Sequence, residues 1–115
     1  PDFPPFEYLE NGEPVGVEIE LMQAVAEKLG VTLKIEQVDF DSIIPGIQSG
    51  KYDVGMAGIT VDEKRKKNVD FSDVFFTAAQ KIVVQPGSEI ASKDDLTGKT
   101  IAVQTGTTQG RRVGR

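Results

Sequence analysis

The 115-residue sequence contains no cysteine, no histidine and no tryptophan. The missing cysteine excludes disulfide scaffolds and thiol nucleophiles, and the missing histidine excludes Cys/His zinc sites and histidine-based triads. Basic residues are also in the minority, thirteen against eighteen acidic ones, and the net charge of −5 argues against a nucleic-acid-binding protein. No apolar run approaches the roughly 20 residues of a membrane span, and the first residues do not resemble a signal peptide.

The sequence does contain enough apolar material for a modest core. Hydrophobic residues make up 38% and charged residues 27% of the chain, a composition typical of one folded domain. We find no acid/base pair and no activated nucleophile, so no catalytic residue is predicted. We also predict no cofactor and no metal ligand, although carboxylates alone could in principle hold a metal ion.

The N-terminal segment predicts a loop followed by a hairpin. Prolines at positions 1, 4 and 5 remove amide donors and fix φ, so Phe3 and Phe6 belong to an extended loop. Asn11-Gly12 is a strong turn signal between the apolar segments 6–9 and 15–17. We therefore expect a small surface hairpin at this point of the chain.

A helix is predicted next, from four apolar residues at i, i+3, i+4 and i+7: Met22, Val25, Ala26 and Leu29. Gly30 follows the last turn, as helix C-termini prefer. Glu18 and Glu20 fall in the first turn, and their favourable interaction with the helix dipole is a sufficient explanation for both.

The remaining chain alternates short helices and strands. Strands are predicted at 31–35, 52–57, 81–85 and 99–104. Asp41 or Ser42 can cap a short helix with Pro45 in its first turn. A further break is predicted at Pro86-Gly87 and a helical turn at 92–96, whereas the basic tail 110–115 is poorly patterned. This order indicates an α/β layer fold with a mainly parallel sheet flanked by helices.

The segment 58–65 is the strongest candidate for binding chemistry. A glycine at a strand end, the hydroxyl of Thr60 at a helix start and Arg65 one turn later form a compact receptor for a carboxylate. The alternative is a surface helix with a basic face, capped by Thr60 or Asp62. From the spacing of the residues alone, the surface helix with a basic face is the favoured interpretation.

Aromatic residues on loops form the second candidate set. Phe3 and Phe40 have polar neighbours and are candidates for a cleft in which two rings enclose a small ligand. For Phe6 we favour a place in the core. The hydroxyl-rich loop 105–108 lacks the lysine and the glycine spacing of a phosphate-binding loop, so nucleotide binding is not predicted.

Several ordered blocks of the chain resemble the periplasmic solute-binding proteins of the polar amino-acid type, family 3. Gly-Val-Glu-Ile-Glu-Leu at 16–21 resembles the family signature Gly-Phe-Asp-Ile-Asp-Leu, with Val17 in place of a larger side chain. The family's other blocks are resembled in order by the aromatic loop 3–7, the central block 53–65 with 69–72, and the segments 96–99 and 103–108. Together these blocks reverse the preference at 58–65 in favour of the carboxylate receptor.

The resemblance implies a two-lobed protein that closes on an amino acid and presents it to a membrane ABC permease. Arg65 and the Thr60 amide would hold the ligand carboxylate, and the Gly58 carbonyl and the Thr60 hydroxyl would receive its ammonium. Further contacts implied by the family come from Phe3, Phe40 and Ala57 in the first lobe and from Gln104, Thr107 and Thr108 in the second. A neutral polar ligand such as glutamine is favoured over a basic one, since no acidic residue falls among the first-lobe contacts.

The chain also differs from the family in length, and a fragment with weak or no binding is predicted. Residues 1–84 would form most of the first lobe without its first strand, 85–91 the hinge region, and 92–115 the start of the second lobe or an altered tail. Exposed sheet edges would then favour self-association. The parent protein is expected in the periplasm, or outside the cell with a lipid anchor, with its signal segment not present in this chain.

Two alternative functions use the same scaffold. Cyclohexadienyl dehydratases and some lytic transglycosylases resemble these binding proteins in the first lobe, but that analogy rests on the fold alone. A sensor domain of a membrane receptor would share the binding chemistry and differ only in its attachment.

Overall fold

The computed structural model describes residues 3–108, which form two units, 3–70 and 71–108. The predictions made for Pro1 and for the basic tail 110–115 lie outside these residues. The elements in chain order are β1 (Tyr8–Glu10), β2 (Glu13–Val15), α1 (Val17–Leu29), α2 (Phe40–Gln48), α3 (Glu63–Lys66) and a 3-10 turn (Lys93–Leu96). No helix in this part of the chain is long and apolar enough to cross a membrane.

The first unit opens with a tight loop and the predicted hairpin. The Phe3 amide donates to the Glu7 carbonyl at 2.8 Å, which closes the proline-rich loop on itself. Strands β1 and β2 then pair in antiparallel register. Asn11 and Gly12 both have positive φ, 53° and 86°, as the type I′ turn of a two-residue hairpin requires. The predicted hairpin is confirmed.

Helix α1 begins against the proline-rich loop. The amides of Val17 and Glu18 donate to the carbonyls of Pro5 and Phe6 at 3.0 and 2.9 Å, so the loop backbone satisfies donors that lack partners within the helix. Gly16 permits this approach, because a Cβ at position 16 would overlap the Phe6 carbonyl oxygen. The start of α1 and the loop are thus joined by main-chain hydrogen bonds.

The predicted apolar stripe of α1 is only partly buried. Ala26 is buried and Met22 is half-buried, whereas Val25 is exposed and Leu29 is 70% exposed. Among the described residues of this unit no layer covers that side of the helix. The completely buried side chain of α1 is instead a polar one, Glu18, in the first turn.

Helix α2 begins earlier than predicted. Its N-cap residue is Asp39 and its first helical residue is Phe40, so the proposed caps Asp41 and Ser42 are wrong. Asp39 has the extended backbone that an N-cap position favours, which allows the helix to start there. Pro45 consequently lies inside the helix, and not in its first turn. The buried Ile43 packs on Gly55, where an added Cβ would overlap its side chain.

The four predicted strands are not hydrogen-bonded strands in the described part of the chain. Segments 31–35, 52–57, 81–85 and 99–104 have no regular secondary structure, and the sheet described is the antiparallel β1–β2 hairpin. A parallel strand is stable only when its backbone groups pair with neighbouring strands. No such neighbour is present among residues 3–108, and apolar residues typical of strands, such as Val31 and Val83, are exposed.

The second unit contains the predicted break and the predicted helical turn. The Ser88 amide donates to the Gln85 carbonyl at 3.0 Å across Pro86-Gly87. Ser92 caps the 3-10 turn through a capping box, in which its hydroxyl accepts from a turn amide and the Asp95 carboxylate accepts from the Ser92 amide. Both predictions are confirmed as local features.

Replacing Gly16 by alanine should strongly destabilise the first unit. Gly16 has φ of 125°, and such glycine-only conformations cost about 1–3 kcal/mol for another residue. The overlap of the new Cβ with the Phe6 carbonyl adds to this cost. Urea unfolding followed by circular dichroism measures the loss.

The matched control is Gly12→Ala in the hairpin turn. Its Cβ would meet no atom within 4 Å, so it carries only the cost of a left-handed alanine, about 1–2 kcal/mol. Equal unfolding midpoints for the two variants would contradict the role given to Gly16.

Candidate functional site

The candidate site is built on the 58–62 turn, which joins an irregular segment to helix α3. Asp62 is the N-cap of α3, and its Oδ1 accepts from the Arg65 amide at 2.8 Å. Of the two predicted caps, Thr60 and Asp62, the structure therefore selects Asp62. With only four residues, α3 has a small dipole, so the guanidinium of Arg65 supplies most of the positive charge at this turn.

Arg65 is buried and directed at the turn. Its side chain is only 6% exposed, and Nη1 donates to the Thr60 carbonyl at 2.8 Å. Asp62 Oδ2 lies 3.9 Å from Nε, and Cζ lies 5.4 Å from the centre of the Phe40 ring. The hydrogen bond to Thr60, the Asp62 carboxylate and the face of the Phe40 ring together fix the plane of the guanidinium.

The opposite end of the turn is held by a buried acid. The Gly58 amide donates to both carboxylate oxygens of Glu18, at 3.0 and 3.1 Å. Glu18 is 1% exposed, the most completely buried side chain described. The prediction that Glu18 serves only the helix dipole is wrong. The sequence signal for a buried Glu18 is the adjacent apolar residue Ile19, which places the buried side of α1 next to this acid.

Glu7 is a second buried acid beside Glu18. It is 5% exposed, and among the described residues its Oε2 has no group from which to accept a hydrogen bond. Burial first, and then the hydrogen bond and the charge of Glu18, raise the pKa of Glu7 to about 8. A protonated Glu7 can donate a hydrogen bond to Glu18, which two ionised carboxylates could not share.

Two aromatic rings lie at this site, Phe3 on Gly58 and Phe40 on the Arg65 guanidinium. Phe3 is 50% exposed and stacks on Phe6 with the ring centres 5.4 Å apart. Its ring also covers Gly58, since an added Cβ there would lie 3.1 Å from a Phe3 ring carbon. Phe40, half-buried at the start of α2, lies on the Arg65 guanidinium.

The structure thus brings five predicted residues of the first unit together: Phe3, Phe40, Gly58, Thr60 and Arg65. Ala57 is half-buried directly before Gly58. The predicted second-lobe residues belong to the second unit, where the Thr107 hydroxyl donates to the Gln104 carbonyl at 2.8 Å and Thr108 is half-buried. Within residues 3–108 no cluster of three acidic side chains is placed to hold a metal ion.

Solved structures define the class of protein. An ancestral arginine-binding protein bound to arginine aligns with a TM-score of 0.92 and 52% identity over 97% of this chain and 50% of its own. An ancestral arginine-binding protein bound to glutamine aligns with a TM-score of 0.91 and 52% identity over 97% and 51%. The ancestral amino acid-binding protein AncCDT-1, a precursor of cyclohexadienyl dehydratase, aligns at 0.88 and 40% over 96% and 51%. The fold is that of type II periplasmic binding proteins, as predicted.

Sequence comparison gives the family. Residues 1–111 match the profile of the bacterial extracellular solute-binding proteins, family 3, and the chain belongs to this family. The arginine-binding extracellular protein ArtP of Bacillus subtilis (strain 168) is 44% identical over 108 residues, 94% of this chain and 42% of ArtP. The chain spans about half the length of these relatives, which are named as binding proteins.

We expect the free energy of unfolding to decrease as the pH rises from about 5 to 8. In the folded chain the pKa of Glu7 is about 8, whereas the unperturbed value is 4.5. The folded state therefore holds the extra proton between these values, and stability falls by at most about 1.4 kcal/mol per pH unit before levelling off. Without histidine or cysteine, few other groups titrate in this range. Urea unfolding at a series of pH values measures the slope.

Glu7→Gln should remove most of this slope, because the amide stays neutral and can still donate to Glu18. Glu10→Gln, at an exposed position of the same hairpin, is the control and should retain it. A slope that persists in Glu7→Gln would show that another group takes up the proton.

Proposed function

We propose that the protein is an amino-acid receptor of an ABC importer and that this chain supplies the lobe that holds the main-chain groups of the ligand. The observation that carries the proposal is the buried Arg65 guanidinium, fixed at the 58–62 turn between the Thr60 carbonyl and the Phe40 ring. A planar guanidinium recognises a carboxylate through parallel hydrogen bonds. Its fixed position reduces the ordering cost when a ligand binds.

The ligand ammonium is assigned to the other end of the turn. Gly58 and Thr60 would receive it through the Gly58 carbonyl and the Thr60 hydroxyl, and Ala57 would line the floor. Phe3 and Phe40 would enclose the ligand side chain, since Phe3 covers Gly58 and Phe40 lies on the Arg65 guanidinium. Gln104, Thr107 and Thr108 would close over the ligand from the second lobe.

Arginine and glutamine are the amino acids to test first. Solved relatives at 52% identity are described as bound to one or the other, and ArtP is named for arginine. The preference for a neutral polar side chain stays a prediction from the sequence. A titration with both ligands decides between them.

Transport follows from closure of two lobes, the closed form being presented to a membrane permease. Members of the family are extracellular solute-binding proteins, and a lipid-anchored or periplasmic parent fits that location. With only part of the ligand's partners in this chain, we expect binding weaker than low-micromolar. Self-association of the isolated chain stays a prediction, supported by its exposed apolar side chains.

The second candidate is an enzyme, favoured by the similarity to AncCDT-1, which is itself named as an amino acid-binding protein and a precursor of a dehydratase. A dehydratase needs an acid that reaches the leaving group. Glu7 is the acid with the raised pKa, but it is buried against Glu18. We therefore propose binding without catalysis, and an acidic residue facing the cleft from the second lobe would favour the enzyme.

Titration of the ¹⁵N-labelled 115-residue chain with L-arginine and L-glutamine tests the proposal. We expect millimolar-range binding with shifts centred on the amides of 58–65. Arg65→Lys should weaken binding about tenfold or more, because lysine keeps the charge and loses the planar fork. Lys64→Ala, exposed on the same helix, is the control and should bind normally.

A second titration uses the ligand that binds more tightly, arginine or glutamine, and the derivative of it in which the α-carboxylate is replaced by an amide. The unaltered chain should prefer the carboxylate ligand to its amide, and Arg65→Lys should lose most of that preference. Equal effects of Arg65→Lys on both ligands would contradict carboxylate recognition, and low-micromolar binding by this chain would contradict the need for a second lobe.

A further inference from the structure

We propose that Glu18 is a positioning residue for amino-acid binding, which holds the Gly58 end of the 58–62 turn and gives it the negative polarity that attracts the ligand ammonium. This inference rests on the proposed function and adds to it a residue that need not touch the ligand. The hydrogen bonds from Gly58 to Glu18 connect positions forty apart in the sequence. They link helix α1 directly to this turn.

The first part of the turn, from Gly58 to Thr60, is clamped at its two ends by buried side chains of opposite charge. Glu18 holds the Gly58 amide, and Arg65 holds the Thr60 carbonyl at 2.8 Å. Two residues span at most about 7 Å, so an anion and a cation act on one short stretch of backbone. An amino acid carries its ammonium and its carboxylate on the same carbon atom, and the polarity of the clamp matches that of the zwitterion.

Gly58 requires this support because of its backbone. Its φ of 54° places it in the left-handed region, and its amide is held at the same time that the Phe3 ring covers its Cα. Fixing the amide with two acceptor oxygens limits rotation of the turn before the ligand arrives. A preorganised receptor loses less entropy on binding.

Glu7 is the buried neighbour of the Glu18 carboxylate. The pKa of Glu7 is raised to about 8 by its burial first, and then by the hydrogen bond and the charge of Glu18. As a neutral acid at pH 7, Glu7 can donate to Glu18 without adding a second charge. Both oxygens of Glu18 accept from the Gly58 amide at the same time.

The experiment compares the ligand that binds the unaltered chain more tightly with its deaminated analogue, which keeps the carboxylate. The unaltered chain should prefer the amino acid, and Glu18→Gln should reduce that preference about tenfold while leaving the discrimination between carboxylate and amide ligands intact. Glu20→Gln removes the same charge from an exposed position in the first turn of α1 and should change neither preference.

A readout without ligand tests the contact itself. The Gly58 amide proton should shift upfield and exchange faster with solvent in Glu18→Gln than in Glu20→Gln. If the Glu18→Gln variant loses the circular dichroism signal of the folded chain, Glu18→Asp replaces it. Aspartate keeps the carboxylate on a shorter side chain and should retain part of the ammonium preference.

The outcomes separate this inference from the proposed function. Binding by the unaltered chain without a preference for the ammonium group overturns the positioning role and leaves carboxylate recognition by Arg65 standing. An unchanged Gly58 resonance, an unchanged preference, or an equal loss for both ligands in the Glu18 variant also overturns it. Absence of any amino-acid binding by the unaltered chain overturns both proposals.

Discussion

The hydrogen bonds between the Glu18 carboxylate and the Gly58 amide are the constraint on which the first unit depends. They fasten helix α1 to a turn forty residues later in the sequence. A buried carboxylate is costly unless it is paired or hydrogen-bonded. Both oxygens of Glu18 meet that requirement at one backbone amide, and Glu7, whose pKa is raised by burial and by Glu18, can donate a further hydrogen bond when protonated. Burying this acid thus determines where the turn lies.

The candidate site is formed by the segments that pack beside the Glu18–Gly58 hydrogen bonds. Gly16 lets the proline-rich loop approach the start of α1, and the loop then places Phe3 over Gly58. At the far end of the turn, Asp62 caps α3 and orients Arg65 against the Thr60 carbonyl. Main-chain hydrogen bonds and one small helix therefore assemble an aromatic ring, a cation and an anion around a few residues.

Family membership fits this arrangement. The receptor fold of the relatives is recognised at high structural similarity although the described residues pair only two short strands. What this part of the chain retains is the packing of loop, helix and turn. Within residues 3–108, the segments expected to form a parallel sheet have no strand beside them to pair with. A parallel strand needs hydrogen-bonding partners from outside its own segment.

Local features were readable from the residues because their causes are local. The type I′ hairpin follows from Asn11-Gly12, the end of α1 from Gly30, and the break at 86–87 from proline and glycine. The sequence also predicted that Arg65 lies near Thr60. The two residues are five positions apart, and the first turn of a capped helix brings residues at that spacing close together.

The sequence by itself determined the chain's α/β class, its turns, its carboxylate-binding candidate and the exclusion of thiol and histidine chemistry. Tertiary structure alone decided the role of Glu18, since an acid in a first helical turn looks the same whether it faces water or a buried amide. It also decided the protonation of Glu7, which arises from burial beside a second acid. Burial and pairing across forty residues are properties of the packed chain, and no local pattern encodes them.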